Sequence, residues 1–310
     1  MKKLKQTYLR SAWAVGAVLL LLMIAGSIWD LQISKFLYPG HESSFGQLFA
    51  AFGELPAFLA MTSAGVLLFV NRTRLRRSWN MLFLAASAVL VLGGLVLSVH
   101  EATDNVPAMP LWVAALVTVF MAALCAVLLL LLTEGCQTKT LLRFICVLAF
   151  VSIVTMLLIN IIKVPWGRPR MRLLVSTGNE SYFQPWWKLG GSLKSRLVAE
   201  GISSDEFRSF PSGHTGCAAC AMLAILLPTL GKRLRGKERL CLCLGLGWTL
   251  LVAVSRLMMG AHFLTDVTAA TLLTLGVSVL GIWLFYFNGR FFRLIWGLVS
   301  EPSSNKNAET

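Results

Sequence analysis

Charged residues are scarce in this chain. Asp, Glu, Lys and Arg make up 14% of its 310 residues, whereas a typical soluble domain has about 25%. Hydrophobic residues reach 56%, and the mean hydropathy is +0.72. The scarcity of charge argues against a soluble globular protein and indicates a polytopic membrane protein.

The alternation of apolar and polar residues that is typical of barrel strands is also lacking. The chain instead has eight continuous apolar runs, and a run of about 20 residues crosses a hydrocarbon core roughly 30 Å thick as a helix. We therefore predict an all-α fold, a polytopic membrane bundle of about eight helices. The runs cover residues 11–29, 48–70, 80–99, 110–132, 142–162, 212–230, 240–257 and 262–287.

Acidic residues are in the minority, with 14 Asp and Glu against 28 Lys and Arg, for a net charge of +14. The basic residues cluster before the first run and after the second, fourth, sixth and eighth runs. With eight crossings all of these clusters, and both termini, fall on the cytoplasmic side. The clusters account for most of the charge, so no nucleic-acid partner is predicted, and we expect an integral protein of the plasma membrane.

Cysteines are lacking from the loops predicted to face outward, so no disulfide is expected there. Cys217 and Cys220 have CxxC spacing inside an apolar run, where small packing residues are the favoured interpretation over a metal or redox site. No cluster of histidines and carboxylates has metal-ligand spacing. The sequence therefore predicts neither a metal ion nor another cofactor.

The loop of residues 163–211 breaks the charge pattern, because it lies outside by parity and yet is rich in basic residues. Lys188, Lys194 and Arg196 are interpreted as solvated side chains. Lys163, Arg168 and Arg170 lie at or beside the end of a membrane helix, where a desolvated cation needs an anionic partner. The sequence therefore predicts an anion among these three residues.

The sequence leaves alternatives open for two further features. Tyr182, Phe183, Trp186 and Trp187 either form an interfacial wall beside a route for lipids or make a small hydrophobic core within the loop. Glu54, in or at the edge of the second run, either contacts a substrate or binds a neighbouring helix.

Three short motifs carry candidate chemistry, and parity brings all three to the outer face. Lys163 and Arg170 form the first, with KxxxxxxR spacing. In the second, PSGH, Ser212 and Gly213 begin a helix whose free N–H groups favour an anion. His214 then lies beside that anion, where it can give or take a proton.

The third motif is Ser255-Arg256 followed by His262 and Asp266. His262 and Asp266 are four residues apart, so on one helix face the carboxylate can accept a hydrogen bond from the imidazole. Such a bond would fix the tautomer and leave the other ring nitrogen as a nucleophile. The alternatives are a structural His–Asp pair here and a simple serine-capped helix start at Ser212.

Together these motifs resemble the pattern of the type 2 phosphatidic acid phosphatase (PAP2) superfamily, KxxxxxxRP, PSGH and SRxxxxxHxxxD. The chain matches the second and third in full and departs from the first at Met171, where the family has proline. The resemblance extends over residues 142–287 and implies a six-helix core.

The resemblance also implies roles for individual residues. The phosphoryl oxygens would be held by Lys163, Arg170, Ser212, Gly213 and Arg256. His262 would attack phosphorus and form a phosphohistidine, Asp266 would orient it, and His214 would protonate the leaving alkoxide. The expected reaction is metal-independent hydrolysis of a phosphomonoester or diphosphate on a membrane lipid such as phosphatidic acid, phosphatidylglycerol phosphate or a polyprenyl diphosphate. A lipid phosphotransferase or a non-catalytic lipid-binding or transport protein are the alternatives.

The expected organisation has three parts. Residues 1–77 form an N-terminal transmembrane hairpin, and residues 78–290 form the six-helix core, with the catalytic loop of residues 163–211 outside. Residues 291–310 form a cytoplasmic tail.

Overall fold

The fold is described for residues 2–40 and 43–301 of a computed structural model. The regular elements within these ranges are all helical, which confirms the predicted all-α class. In chain order the α-helices are α1 (Lys2–Leu37), α2 (Ser44–Phe52), α3 (Leu55–Asn71), α4 (Asn80–Asn105), α5 (Leu111–Thr133), α6 (Thr138–Trp166), α7 (Met171–Thr177), α8 (Gly191–Ala199), α9 (Gly213–Ala219), α10 (Glu238–Met258), α11 (Leu264–Ile282) and α12 (Gly289–Val299).

Seven helical segments in the described part of the chain are long and apolar enough to cross a membrane. They correspond to seven of the eight predicted runs, to within two residues or less at the starts of the fourth and eighth, and the sixth run is the shorter apolar helix Gly213–Thr229. That segment starts as α9 and continues as a 3-10 helix over Cys220–Thr229. A 3-10 helix rises about 2.0 Å per residue instead of 1.5 Å, so the segment is roughly 30 Å long, comparable to a hydrocarbon core.

The outer surface of the bundle is apolar, as a lipid environment requires. Large side chains such as Trp13 on α1, Val89 on α4 and Leu131 on α5 are exposed. The interior is filled by small and branched residues, for example Ala57 and Val147, which are fully buried. Exposed apolar residues of this kind on long apolar helices are the mark of an integral membrane protein.

The segment predicted as an N-terminal transmembrane hairpin, residues 1–77, packs against later helices through its described residues. Helix α3 packs against α4 and α6, and α1 packs against α11. The second predicted run is divided into α2 and α3, and Glu54 lies at the break between them. Asp30 directly follows the first predicted run, but α1 continues past it to Leu37 and buries its carboxylate. A kink at Trp29 immediately precedes this buried acid.

The basic clusters meet at one end of the bundle. Lys5 lies 5.8 Å from the Phe287 ring, and Arg143 lies 4.5 Å from the Phe292 ring. The backbone N–H of Arg76 donates to the Val299 carbonyl at 2.7 Å. Three clusters thus contact the C-terminal segment that carries a fourth. The remaining cluster, through Arg233, borders the same apolar cavity as the last turn of α5.

The predicted tail begins with a helix of its own. After a π-helical turn over Trp283–Phe287, the Asn288 side chain accepts a hydrogen bond from Phe291 N at 3.1 Å and starts α12. Phe292 of α12 is buried in the main hydrophobic core. The end of the tail, residues 302–310, lies outside the described residues.

The loop of residues 163–211 folds over the end of the bundle that is opposite the basic clusters. The Phe183 ring packs edge-on to Phe263 at 5.3 Å, and Trp186 stacks on Phe210 at 6.0 Å. The Trp186 indole also donates to Ser27 Oγ of α1 at 2.9 Å. The alternative of a small core within the loop describes Trp186, whereas Phe183 packs against a residue outside the loop and Trp187 is 57% exposed.

Candidate active site

A polar cavity of about 430 Å³ lies at the end of the bundle covered by this loop. Six of the eight residues expected in the site line it: Lys163, Arg170, Gly213, His214, Arg256 and His262. The other two, Ser212 and Asp266, are fully buried behind its wall. The three motifs therefore converge in space, as their predicted positions on one membrane face required.

The first motif occupies the end of α6 and the start of α7. Helix α6 stops at Trp166 because Gly167 adopts a left-handed conformation, with φ of 65°, that glycine accepts without strain. Lys163 extends toward the second motif, and a Cβ built on Gly213 would lie 3.1 Å from its Nζ. Arg170 donates from Nη1 to Asp205 at 2.7 Å, while its buried Nε has no hydrogen-bond partner among the described residues.

Met171, which replaces the family's proline, is the first residue of α7. Proline is favoured at this helical position because its fixed φ suits a helix start and its missing N–H would be unsatisfied anyway. Proline is favoured at this position and not required, because other residues can also adopt the φ of a first helical turn. Met171 is 3% exposed and packs with Leu174 and Phe263, so the turn after Arg170 is held by side-chain packing.

His262 lies in the loop between α10 and α11. Its Nδ1 is 2.6 Å from the carbonyl oxygen of Ser209. A carbonyl only accepts, so Nδ1 carries the hydrogen and Nε2 keeps a free lone pair. Burial, and after it the positive charges of Lys163 and Arg170, hold the pKa of His262 well below its usual range. The side chain is therefore a neutral imidazole with an available nucleophilic nitrogen.

The expected hydrogen bond between His262 and Asp266 is not formed, since Nδ1 is 3.9 Å from the nearer carboxylate oxygen. The prediction assumed that both residues lie on one helix, but α11 begins at Leu264 and His262 precedes it. Asp266 Oδ2 instead accepts from Ser209 Oγ at 2.6 Å and from the Phe263 N–H at 2.8 Å. The carboxylate thus reaches the imidazole through Ser209.

Arg168 is the cation that holds Asp266. It is fully buried, and its guanidinium contacts carboxylates on both sides, Asp266 through Nη1 and Asp30 through Nη2, the latter at 2.9 Å. Its Nε donates to the Gln184 carbonyl at 2.8 Å, and the Phe263 ring lies 4.4 Å away. The expectation of an anion beside Arg168 is met by two protein carboxylates, one of them from α1.

Ser212 acts as the cap of α9. Its Oγ accepts from the Thr215 N–H at 3.4 Å, and its own N–H donates to the Asp266 carbonyl at 3.1 Å. These groups are therefore engaged within the protein, which corresponds to the alternative of a serine-capped helix start. Gly213, the next residue, does line the cavity.

Both ring nitrogens of His214 contact residues that precede the three motifs. Nε2 is 2.9 Å from the Ala50 carbonyl oxygen, and Nδ1 is 3.0 Å from Glu54 Oε1. Glu54 also faces Lys163 and Arg256 across the cavity. Of the two alternatives for Glu54, the structure shows the contact with a neighbouring helix, because its carboxylate meets His214 of α9, and this contact lies within the cavity.

Arg256 projects from the last turn of α10 and is 4% exposed. Its Nη2 donates to the Gly46 carbonyl of α2 at 2.6 Å. Arg172 and Arg208 line the same cavity, and Arg172 pairs with Glu206 at 2.6 Å. The cavity is therefore strongly cationic along one side, as an anion-binding site requires. No group of three or more His, Cys, Asp or Glu with the geometry to hold a metal ion occurs among the described residues.

Sequence reasoning missed three residues of this arrangement: Ser209, Asp30 and Glu54 as a partner of His214. Ser209 lies just before PSGH, so its position was visible, but its carbonyl contact depends on where the distant His262 loop lies. Asp30 and Glu54 are isolated acids in apolar surroundings, and a buried acid in a membrane helix is itself a sign of function.

Comparison with known proteins agrees with the motifs. The family model described as PAP2 superfamily matches residues 144–290, which contain all three motifs. No curated protein and no solved structure matches the chain. The matched residues include both histidines, Lys163, Arg170 and Arg256, which the fold gathers around one cavity, and the chain belongs to the PAP2 superfamily.

Proposed function

We propose that this protein hydrolyses a phosphomonoester or diphosphate on a membrane lipid, without a metal ion, through a phosphohistidine formed on His262. The PAP2 superfamily generally contains phosphatases. The observation that carries the proposal is the hydrogen bond from His262 Nδ1 to the Ser209 carbonyl, which leaves Nε2 unprotonated in a cavity that also holds Lys163, Arg170 and Arg256.

Charge neutralisation supports the first step. A phosphoryl group in the cavity would lie among Lys163, Arg170 and Arg256, whose charges oppose that on its equatorial oxygens. Nε2 of His262 forms a bond to phosphorus as the phosphorus–oxygen bond to the lipid breaks. The electron pair of that bond goes to the leaving oxygen, which takes a proton from His214.

The second step returns the enzyme to its starting state. Water attacks phosphorus and gives one of its protons to His214, the side chain that donated a proton in the first step. The bond between His262 Nε2 and phosphorus breaks. Inorganic phosphate leaves, and His262 is again a neutral imidazole. The Ser209 carbonyl accepts the Nδ1 hydrogen throughout, and Asp266 fixes the Ser209 side chain, which favours the positive charge on the phosphorylated ring.

An apolar cavity of about 660 Å³ supports a lipid as the substrate. It is lined by Leu55, Cys220 and Trp248, among others. The polar cavity is lined by Glu54, Cys217 and Arg256 of the same three helical segments, so the two cavities are neighbours along α3, α9 with its 3-10 continuation, and α10. We assign the apolar cavity to an acyl or prenyl chain of the substrate.

The basic end of the bundle supports a cytoplasmic location for the termini, and we therefore assign the catalytic cavity at the opposite end to the extracytoplasmic side. Gly213 lies at the cavity, and the segment that it starts is long enough to cross. Together with the seven long segments it gives eight crossings in the described part of the chain, and an even number is consistent with both termini on one side. A Ser195→Cys variant tests the orientation, because Ser195 lies on α8 of the outer loop. An impermeant thiol reagent added outside the cell should label the new cysteine.

Phosphate release by purified protein tests the activity. Phosphatidic acid, phosphatidylglycerol phosphate and a polyprenyl diphosphate are each assayed with EDTA, and glycerol 3-phosphate serves as a soluble ester without a chain. We expect release from at least one lipid, little from the soluble ester, and loss of about 10⁴-fold or more in His262→Ala.

The matched control is His100→Ala, since His100 lines the same cavity on α4 and has no role in the proposed steps. This variant is expected to retain activity. Equal phosphate release by His262→Ala and the parent protein would refute the proposed function.

A further inference from the structure

Glu54 lies inside the cavity where the phosphoryl group is expected, although PSGH and the other motifs do not contain it. Its Oε1 is 3.0 Å from His214 Nδ1 and would lie 3.6 Å from a Cβ built on Gly213. Glu54 and His214 are 9% and 8% exposed, so bulk water screens their contact poorly. A carboxylate at this place must affect both phosphate binding and the protonation of His214.

The hydrogen bonds of His214 define where its exchangeable proton lies. Nε2 faces the Ala50 carbonyl at 2.9 Å and must carry a hydrogen, because a carbonyl cannot donate. Nδ1 is then the nitrogen that gains or loses a proton without breaking that bond. A hydrogen bond to Glu54 Oε1 requires one proton between them, which belongs either to an imidazolium facing a carboxylate or to a carboxylic acid facing a neutral ring.

We propose that Glu54 is a positioning residue that shares one proton with His214 and keeps that histidine loaded as the acid for the leaving group. This rests on the proposed function, because the proton goes to the oxygen released when His262 takes the phosphoryl group. The pair loses its shared proton in that step and regains one from the attacking water. Proton and charge therefore balance over the cycle.

The surrounding charges explain why the pair needs a carboxylate. His214 faces Arg256 of α10, Lys163 of α6, Arg170 of the outer loop and His262. These cations oppose a positive charge on the ring, and the negative charge of Glu54 compensates for them.

Glu54 in turn faces Glu101 of α4, Cys217 of α9, Lys163 and Arg256. The same carboxylate lies close to cations proposed to bind phosphate, so it opposes the binding of an anionic substrate. The pair thus favours proton transfer at the expense of ground-state affinity.

This opposition predicts that the loss of the carboxylate lowers kcat and strengthens the binding of phosphate, a combination that a structural role would not produce. In Glu54→Gln the amide preserves the size of the side chain and removes its charge. We expect kcat at pH 7 to fall about tenfold or more, because His214 no longer holds its proton. At a pH low enough for His214 to stay protonated in the variant, we also expect the Michaelis constant and the inhibition constant of inorganic phosphate to fall, since one negative charge has then left the anion site.

The pH profile gives a second readout. His214 must be protonated to act, so kcat falls as pH rises through the pKa of the pair. Removal of the carboxylate weakens the hold on that proton, and the alkaline limb of kcat in Glu54→Gln should move to lower pH by about one unit or more. Asp104→Asn is the matched control, because Asp104 lines the same cavity and is not one of the charged groups that face Glu54 or His214. Its alkaline limb should stay in place.

Glu54→Asp covers the case in which the glutamine variant does not fold. It retains the carboxylate, so its alkaline limb should remain within a few tenths of a pH unit of the parent even if kcat declines. A shifted limb in Glu54→Asp, or an unchanged kcat and limb in Glu54→Gln, would overturn the inference. Such a result overturns only the role of Glu54 if His262→Ala is inactive in the same assays. An active His262→Ala would refute the proposed function itself.

Discussion

The two histidines of the cavity are held by different regions of the chain. The partners of His262, Ser209 and Asp266, lie within residues 144–290, which match the superfamily model. The partners of His214, Ala50 and Glu54, lie before the matched region. The nucleophile is thus supported by the family core, whereas the proposed acid depends on an N-terminal segment that packs within the bundle. On the side of the nucleophile, the N-terminal segment contributes Asp30, which pairs with Arg168.

The largest effect is expected from removal of Arg168, which holds Asp266 on the side of the nucleophile His262. Arg168→Gln leaves Asp30 and Asp266 buried with no cation between them, and we expect about 3–5 kcal/mol of lost stability, with loss of activity. Thermal unfolding in detergent measures the change. Arg196→Gln is the control, because Arg196 is exposed and its 4.0 Å contact with Glu200 should contribute less than about 1 kcal/mol. Similar melting temperatures for the two variants would contradict the account.

Substitution of Asp30 asks whether α1 is required by the family core. In Asp30→Asn the amide keeps part of the hydrogen bonding to Thr265 and Arg168 but loses the charge. We expect a loss of about 1–3 kcal/mol in the free energy of unfolding. Glu180→Gln is the control, because it changes an exposed acid that pairs with Lys35 of α1 at 2.5 Å. Its effect on the free energy of unfolding should be close to zero. A neutral Asp30→Asn would show that α1 is an addition without a role at the site.

Ser209 links Asp266 to His262, so its side chain tests the indirect connection between them. Ser209→Ala removes the hydroxyl that donates to Asp266 but keeps the carbonyl that accepts from His262. We expect kcat to fall about tenfold with little change in the Michaelis constant, because the orientation of the ring loosens while phosphate contacts remain. Ser195→Ala on α8 is the control. A fall as large as that of His262→Ala would mean that Ser209 has a more direct role.

The acid side of the pH profile reports the nucleophile. Burial and the cations Lys163 and Arg170 lower the pKa of His262 well below its usual range, so the ring stays neutral as pH falls through about 6.5. The value of kcat/KM, corrected for ionisation of the substrate phosphate, should therefore decline on the acid side only below that pH. A decline centred near pH 6.5 or above would contradict the neutral, buried imidazole.

The smallest effect is expected at Met171. Its position at the start of α7 suits proline, so Met171→Pro should change the free energy of unfolding by about 1 kcal/mol or less, with the buried packing of Met171 opposing the gain in backbone rigidity. Activity should be retained. A loss above tenfold would show that the departure from the family pattern is needed in this chain.

The sequence was sufficient for the parts that depend on local chemistry. Apolar runs predicted the membrane helices, and the three motifs predicted Lys163, His214 and His262 at one cavity. It was insufficient where a partner comes from a distant segment, as with Asp30 and Glu54. The expected contact between His262 and Asp266 failed because it assumed helical geometry two residues before α11 begins. Contacts of this kind depend on loop conformation, which residue spacing alone does not determine.

Trapping of the phosphorylated enzyme tests the central claim most directly. A lipid phosphate labelled on phosphorus is mixed with the protein and quenched in alkali, where a phosphohistidine survives and a phosphoester of serine is eliminated. We predict label on the peptide that contains His262, absent from His262→Ala and discharged when more time is allowed for water to react. Label on the peptide that contains His214, or turnover without any labelled protein, would contradict the account.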